Sequence, residues 1–373
     1  MLAPFKLERY FARYEFSADY LLCCSDCESV AVADLLRLEA DAEERLKRLW
    51  LGYTEAPGNP ALRREIAAIY GSIHDDEVLV HSGAEEAIYL FMRGNLTAGD
   101  HVVVHWPCYQ SLAEVARAIG CHISPWIARE EAGWCLDGDE LKTLIRPETR
   151  AVILNTPHNP TGFLMERRSF EDVVRFTEER GIILFSDEVY RGCEYREEDR
   201  LPAACDVGGQ AVSLGVMSKT YGLAGLRIGW IATRNQQVRE RMAALKDYTT
   251  ICNSAPSELL AEIALRHRQS LARRNVEIIR SNLGHLDDFF SRYRHRFRWR
   301  RPDAGPIAFP RLIGAEIDLF CDRLVKKCGV LLLPGSIYDH PGNHFRIGCG
   351  RRNLPQALQR LEDYLRKTPE GAF

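Results

Sequence analysis

A chain of 373 residues exceeds the length at which one hydrophobic core usually keeps growing, so two domains are the expectation. Its 46% hydrophobic and 27% charged residues fit a globular protein, and a net charge of −3 gives no global attraction to nucleic acid or acidic membranes. No run reaches the ~18 apolar residues of a membrane span, and the first ten residues lack a secretion signal's apolar middle. The expected address is therefore cytoplasmic, with the 12 cysteines reduced.

Sulfur concentrates early, in Cys23-Cys24-Ser25-Asp26-Cys27. No second pair follows at zinc-ligand spacing, which favours structural or incidental thiols over a metal site. From residue 78 onward, short apolar runs alternate with helical patterns. Val78-Leu79-Val80 leads into a helix over 85–93, and the run 101–104 precedes a helix over 111–119. The run 151–154 ends at Asn155-Thr156-Pro157, and 181–185 ends at Ser186-Asp187-Glu188. Runs at 211–214 and 226–231 close the series.

Continuous apolar strands separated by helices predict a mostly parallel sheet covered on both faces, with ligands beyond the strands' carboxyl ends. After about residue 255 the pattern changes. A helical stretch over 258–292, short strands near Phe297, Ile307, Leu331 and Phe345, and a helix over 355–365 predict a smaller α/β domain. The segment 292–301 interleaves seven basic residues, His295 included, with Tyr293, Phe297 and Trp299. Without a wider basic excess, a half-buried strand with Phe297 and Trp299 inward is favoured over a nucleic-acid patch.

Three polar stretches stand at the strand ends: Asn155-Thr156-Pro157-His158-Asn159-Pro160-Thr161-Gly162, Ser186-Asp187-Glu188-Val189-Tyr190, and the block from Ser218-Lys219 to Arg227-Ile228-Gly229. Singly they read as a turn, a helix-capping acid pair and a solvated lysine. Lysine is scarce, however, at eight of 49 cations. A lysine in a glycine-rich apolar setting suggests chemistry that needs a neutral amine, which arginine cannot supply.

In this order, the stretches resemble the class I/II aminotransferases of fold type I, which depend on pyridoxal 5′-phosphate (PLP). The resemblance runs from about Tyr53 to Arg346. It implies an α/β fold in which residues 46–255 form a large domain, with a mostly parallel seven-stranded sheet sandwiched by helices. Residues 1–45 and 256–373 would form a smaller α/β domain. The resemblance implies that Lys219 carries the cofactor as a Schiff base and moves protons, that Asp187 partners the pyridine nitrogen, and that Asn159 and Tyr190 donate to the phenolate. Gly83, Ala84 and Glu85, opening a helix, would bind the phosphate through main-chain N–H groups, joined by Ser218 and Arg227. Tyr109 would stack on the ring. Arg346, with Asn159 close by, would bind the substrate α-carboxylate. Tyr53 would reach the partner subunit's phosphate, which implies a homodimer with active sites at the interface.

There are departures. Val216 stands where many relatives place a hydroxyl on the phosphate, residues 20–30 match no pattern, and no second substrate-binding arginine is evident. The implied activity is transfer of an amino group between an α-amino acid and a 2-oxo acid. Pro125-Trp126, Lys246-Asp247-Tyr248 and Ala308-Phe309-Pro310-Arg311 also resemble the capreomycidine synthases, PLP enzymes that cyclise a hydroxylated arginine. Lyase or cyclase chemistry therefore stays open. A non-catalytic regulator on a PLP fold is a third reading; the about 50 residues before Tyr53 are too few for the helix-turn-helix such proteins usually carry.

Overall fold

The computed structural model describes residues 2–368. Its largest sheet has seven strands: β1 (Val78–His81), β2 (His101–Trp106), β3 (His122–Ile127), β4 (Thr149–Asn155), β5 (Ile183–Asp187), β6 (Val212–Val216) and β7 (Gly229–Ala232). The order is β1-β7-β6-β5-β4-β2-β3. β7 runs antiparallel to both neighbours, and every other pairing is parallel. Because β1 is antiparallel to β7, its C-terminal end points the same way as those of β4, β5 and β6.

Alternate strand residues feed two cores. Val102, Val104, Ala151, Ile153, Ile183 and Phe185 pack with the helix Ala84–Asn95, whereas Val103, Val152, Leu154 and Leu184 face the side of Trp126 and Phe170. Both faces are covered, which is why these strands read as unbroken apolar runs. β3 escaped that reading. It is the edge strand, contains Pro125, and buries only Ser124 and Trp126. A half-exposed edge tolerates proline and polar residues.

Two further elements differ from the sequence expectation. The helical stretch 258–292 is two helices, Ala255–Arg266 and Arg268–Arg292, separated by His267, whose ψ of 18° is not helical. No glycine or proline marks the break, so the periodicity runs through it. The run 226–231 becomes strand only at Gly229, because residues 224–226 form a tight turn and Arg227 takes a left-handed φ of 52°.

The C-terminal region packs the Arg268–Arg292 and Leu354–Lys367 helices around Phe297, Phe320 and Phe345. Phe297 is buried and Trp299 stacks on Phe290 at 4.5 Å, so the two aromatics expected to face inward do serve packing. The N-terminal segment joins this region through its main chain. Leu331 donates to Tyr20 O at 2.9 Å, Gly348 to Leu22 O at 2.7 Å, and Glu28 to Gly350 O at 2.8 Å. The approach is close: a Cβ on Gly348 would lie 2.0 Å from Cys24 O, and one on Gly350 would lie 2.2 Å from Asp26 O.

Candidate active site

A cleft of about 350 Å³ opens where β4, β5 and β6 end. Asn155 and Asp187 are register partners at the ends of β4 and β5. Asn155 ties two loops together there: its Nδ2 donates to Asp187 O at 2.9 Å, and its Oδ1 accepts from Asn159 N at 2.7 Å. The stacked rings of His105 and His158 support the same turn, with His158 bonded to Thr161 Oγ1 and Pro107 O. Burial lowers His158 to about 3, so the ring is neutral at ordinary pH.

Asp187 is buried, and one carboxylate oxygen accepts from Val189 N at 3.2 Å. Burial pushes its carboxyl up to about 7, against the smaller opposing effects of that hydrogen bond and the Lys219 charge. A buried carboxylate with one main-chain donor is poised for a cation. Lys219, three residues beyond Val216 at the end of β6, reaches the same space, with Nζ 3.0 Å from Ser25 Oγ and 5.9 Å from the Tyr190 ring centre. Its pKa is lowered, first by burial and then by effects including the Arg346 charge, while Asp26 opposes. Tyr190 is fully buried, and its phenol is raised by burial with Ser25 beside it.

One end of the cleft is built for an anion. Gly83, at φ 84°, opens the helix Ala84–Asn95, whose first N–H groups have no partner within the helix. Glycine is required at both positions: the positive φ of Gly83 strains any side chain, and a Cβ on Gly229 would lie 2.6 Å from the Gly83 carbonyl carbon. Ser218 Oγ lies 3.5 Å from Arg227 NH1. The Glu85 carboxylate instead accepts from Ser111 Oγ at 3.1 Å, and burial raises it to about 7. Val216 lines the cleft with an apolar side chain. Tyr109 lies over the same wall, its ring 5.2 Å from Phe5.

The opposite end holds Arg346, 1% exposed and without a carboxylate partner among the described residues. Neutral groups fix it: Nε donates to Cys23 O at 2.9 Å, and NH1 donates to Tyr338 OH at 2.6 Å and Asn159 Oδ1 at 3.3 Å. Arg351 is taken by Asp26 through two bonds of 3.1 and 2.8 Å.

The structure thus gathers Lys219, Asp187, Tyr190, Asn159, Tyr109, Ala84, Glu85, Ser218, Arg227 and Arg346 around one cleft, with Gly83 at its rim. Tyr53 does not join them in its own chain; its side chain is 86% exposed beside Trp50. Ser25, Asp26, Tyr338 and Arg351 are cleft or near-cleft residues that sequence reasoning missed. The Cys23–Cys27 cluster divides: Cys23 and Cys27 lie in different cores, and Cys24 faces the cleft.

Comparison with known proteins agrees with this picture. The family model for aminotransferase class I and II matches residues 24–361. A PLP-dependent aminotransferase from Streptococcus suis has 31% identity and a TM-score of 0.92, covering 98% of both chains. A PLP-dependent cyclase is equally similar in sequence, at 31%, with a TM-score of 0.90 over 98% of both chains. Capreomycidine synthase from Streptomyces vinaceus is 29% identical across 83% of this chain and 79% of its own.

Proposed function

From the premise that the chain belongs to the class I and II aminotransferase family and is a PLP-dependent enzyme of fold type I, we propose that it moves an amino group between an α-amino acid and a 2-oxo acid. The observation that carries this reading is the pairing, across one cleft, of a part-buried amine at Lys219 with a buried, carboxylate-free guanidinium at Arg346. The first suits a carbonyl cofactor and the second suits an α-carboxylate.

The residues fit PLP. The Gly83 turn, Ser218 and Arg227 form a glycine-dependent cradle for a phosphate, and Asp187 supplies the anion that a protonated pyridine nitrogen requires. When bound, PLP supplies an electron sink for bond breaking at the substrate Cα. The chain does the rest. Lys219 would hold the cofactor through its amine and, once free, would carry a proton at the substrate Cα, for which its lowered pKa favours the neutral form. Asn159 and Tyr190 donate toward the phenolate, Tyr109 covers the ring, and Arg346 orients the substrate through its carboxylate.

A second reading keeps the cofactor residues and changes the outcome to cyclisation or elimination on an amino acid. The 31% identity to a PLP-dependent cyclase supports it. An amino-donor screen decides between them. Transamination converts the cofactor to its amine form in a half-reaction, and a 2-oxo acid restores it. Ammonia or a cyclised product without that conversion would establish the second reading.

The proposal includes a cytoplasmic homodimer divided into a large domain (46–255) and a small domain (1–45 and 256–373). Trp50, Leu51, Tyr53 and Tyr248, each 78–90% exposed, support a subunit interface. No helix among the described residues is long and apolar enough to cross a membrane.

A further inference from the structure

A second cavity, of about 550 Å³, shares Val189 and Val216 with the cleft as a common wall. Its other walls include the turn after β5, the end of β6, residues 68–70 and one face of the helix Arg268–Arg292. Helix residues 269, 272, 273, 276 and 280 line it, at the three- and four-residue spacing of a single face. A face that served packing alone would be apolar, yet this one presents Gln269, Arg273 and Arg280.

Five arginines and three glutamates line the space, an excess of two positive charges. Arg200 is engaged by Glu194 at 3.3 Å and Glu197 at 3.7 Å. Arg268 and Arg280 donate to main-chain carbonyls, which leaves their charges uncompensated. The guanidinium groups of Arg191 and Arg273 make no hydrogen bond or ion pair among the described residues, and the Nε of Arg191 is buried, with the Glu188 charge near enough to act on it. Facing the same space is Glu188, 6% exposed. Its Oε1 accepts from Ala204 N and Ser213 Oγ, both at 2.8 Å. Its Oε2 is buried and makes no hydrogen bond of normal geometry, with the Arg191 charge and the Ser186 hydroxyl acting on the carboxyl. A buried donor and a buried acceptor both left unmet are costly, and in one polar cavity a ligand can satisfy both.

We propose that this cavity is a second ligand site, taking a small organic anion that also bears a hydroxyl or amino group. The carboxylate or phosphate of the ligand accepts from Arg191 and Arg273, and its donor group satisfies Glu188. The cavity adjoins the lysine of the cleft. Thr220 Oγ1 donates to Arg191 O at 2.9 Å, and Thr220 directly follows Lys219.

Calorimetric titration of the holoenzyme with L-malate and with glycerol 3-phosphate tests the proposal and separates carboxylate from phosphate ligands. Succinate and propyl phosphate serve as probes without the carbon-borne hydroxyl. The expected result is one saturable site per chain outside the cleft for at least one donor-bearing probe, about tenfold tighter than for its donor-free counterpart. Arg273→Gln should weaken it by about tenfold, and Arg346→Gln should leave it unchanged. Arg273 is exposed and unpaired, so an unchanged melting temperature is the expected control. Absence of binding up to about 10 mM, well beyond a ~1 mM affinity, would overturn the proposal. So would binding that Arg346→Gln abolishes and Arg273→Gln spares, because the anion would then sit in the cofactor cleft.

Discussion

On the sheet side of the cleft, Asn155, Asp187 and Lys219 sit at or just beyond the ends of three adjacent parallel strands, each positioned by its own strand. The facing wall is assembled differently: Ser25 and Asp26 come from one end of the chain, and Tyr338, Arg346 and Arg351 from the other, joined by main-chain hydrogen bonds. The first wall is fixed as soon as the sheet forms. The second exists only when two segments more than 300 residues apart are docked. Cofactor binding should therefore survive changes on the facing wall, while substrate handling should be sensitive to both walls.

The largest effect belongs to the sheet wall. Lys219→Ala should cut multiple-turnover activity by at least about a thousandfold, because no other amine can both release product and carry the proton. The variant should still bind PLP through the phosphate cradle, without the borohydride-fixable lysine label of the parent. Labelling at another lysine would break the assignment. On the facing wall, Arg346→Gln should remove a charge-assisted contact worth roughly 1.5–3 kcal/mol, raising KM by about ten- to a hundredfold with PLP affinity unchanged. Loss of PLP binding in that variant would show that the walls are not separable.

What the sequence revealed follows the same division. Asp187 and Lys219 could be placed near the cleft because each stands just past an apolar run, while the roles proposed for them rest on the family resemblance. The Gly83 turn was singled out by the same resemblance, to which the free N–H groups of a helix start add a physical reason. Ser25 and Tyr338 were not, because nothing local to either segment says that they meet. The signal that could have found them is the pair Gly348 and Gly350, where any side chain would collide with the main chain of Cys24 and Asp26. β3 was hidden for another reason: edge strands need no apolar run, and Pro125 argued against a strand.

A smaller effect tests the sheet wall by pH. In the cofactor-free protein Asp187 and Glu85 are both raised to about 7 by burial. Between about pH 4 and pH 7 the folded chain therefore keeps protons that the unfolded chain has released, and stability falls as pH rises. A pyridinium opposite Asp187 removes its share of that loss. The melting-temperature gap between PLP-loaded and PLP-free protein should therefore widen from about pH 5 to about pH 8. A gap that is flat or narrows would mean that Asp187 does not face a cation.

The smallest effect bridges the walls. Ser25 Oγ accepts from Lys219 Nζ at 3.0 Å, a bond that favours the charged ammonium. Burial acts the other way and prevails, since the Lys219 pKa is lowered overall. Removing the hydroxyl with Ser25→Ala should therefore lower that pKa further, by about half a unit to one unit for a hydrogen bond worth roughly 1 kcal/mol. The pH profile of Lys219 modification in the PLP-free protein reads this directly, with Asp26→Asn as a companion. Asp26 also favours the ammonium, so its neutralisation should shift the profile in the same direction. Because Asp26 also anchors Arg351, that second variant should loosen the docked segment as well. If Ser25→Ala leaves the profile in place while Asp26→Asn moves it, the facing wall tunes Lys219 through charge alone, and the hydroxyl contact has no part in the amine's chemistry.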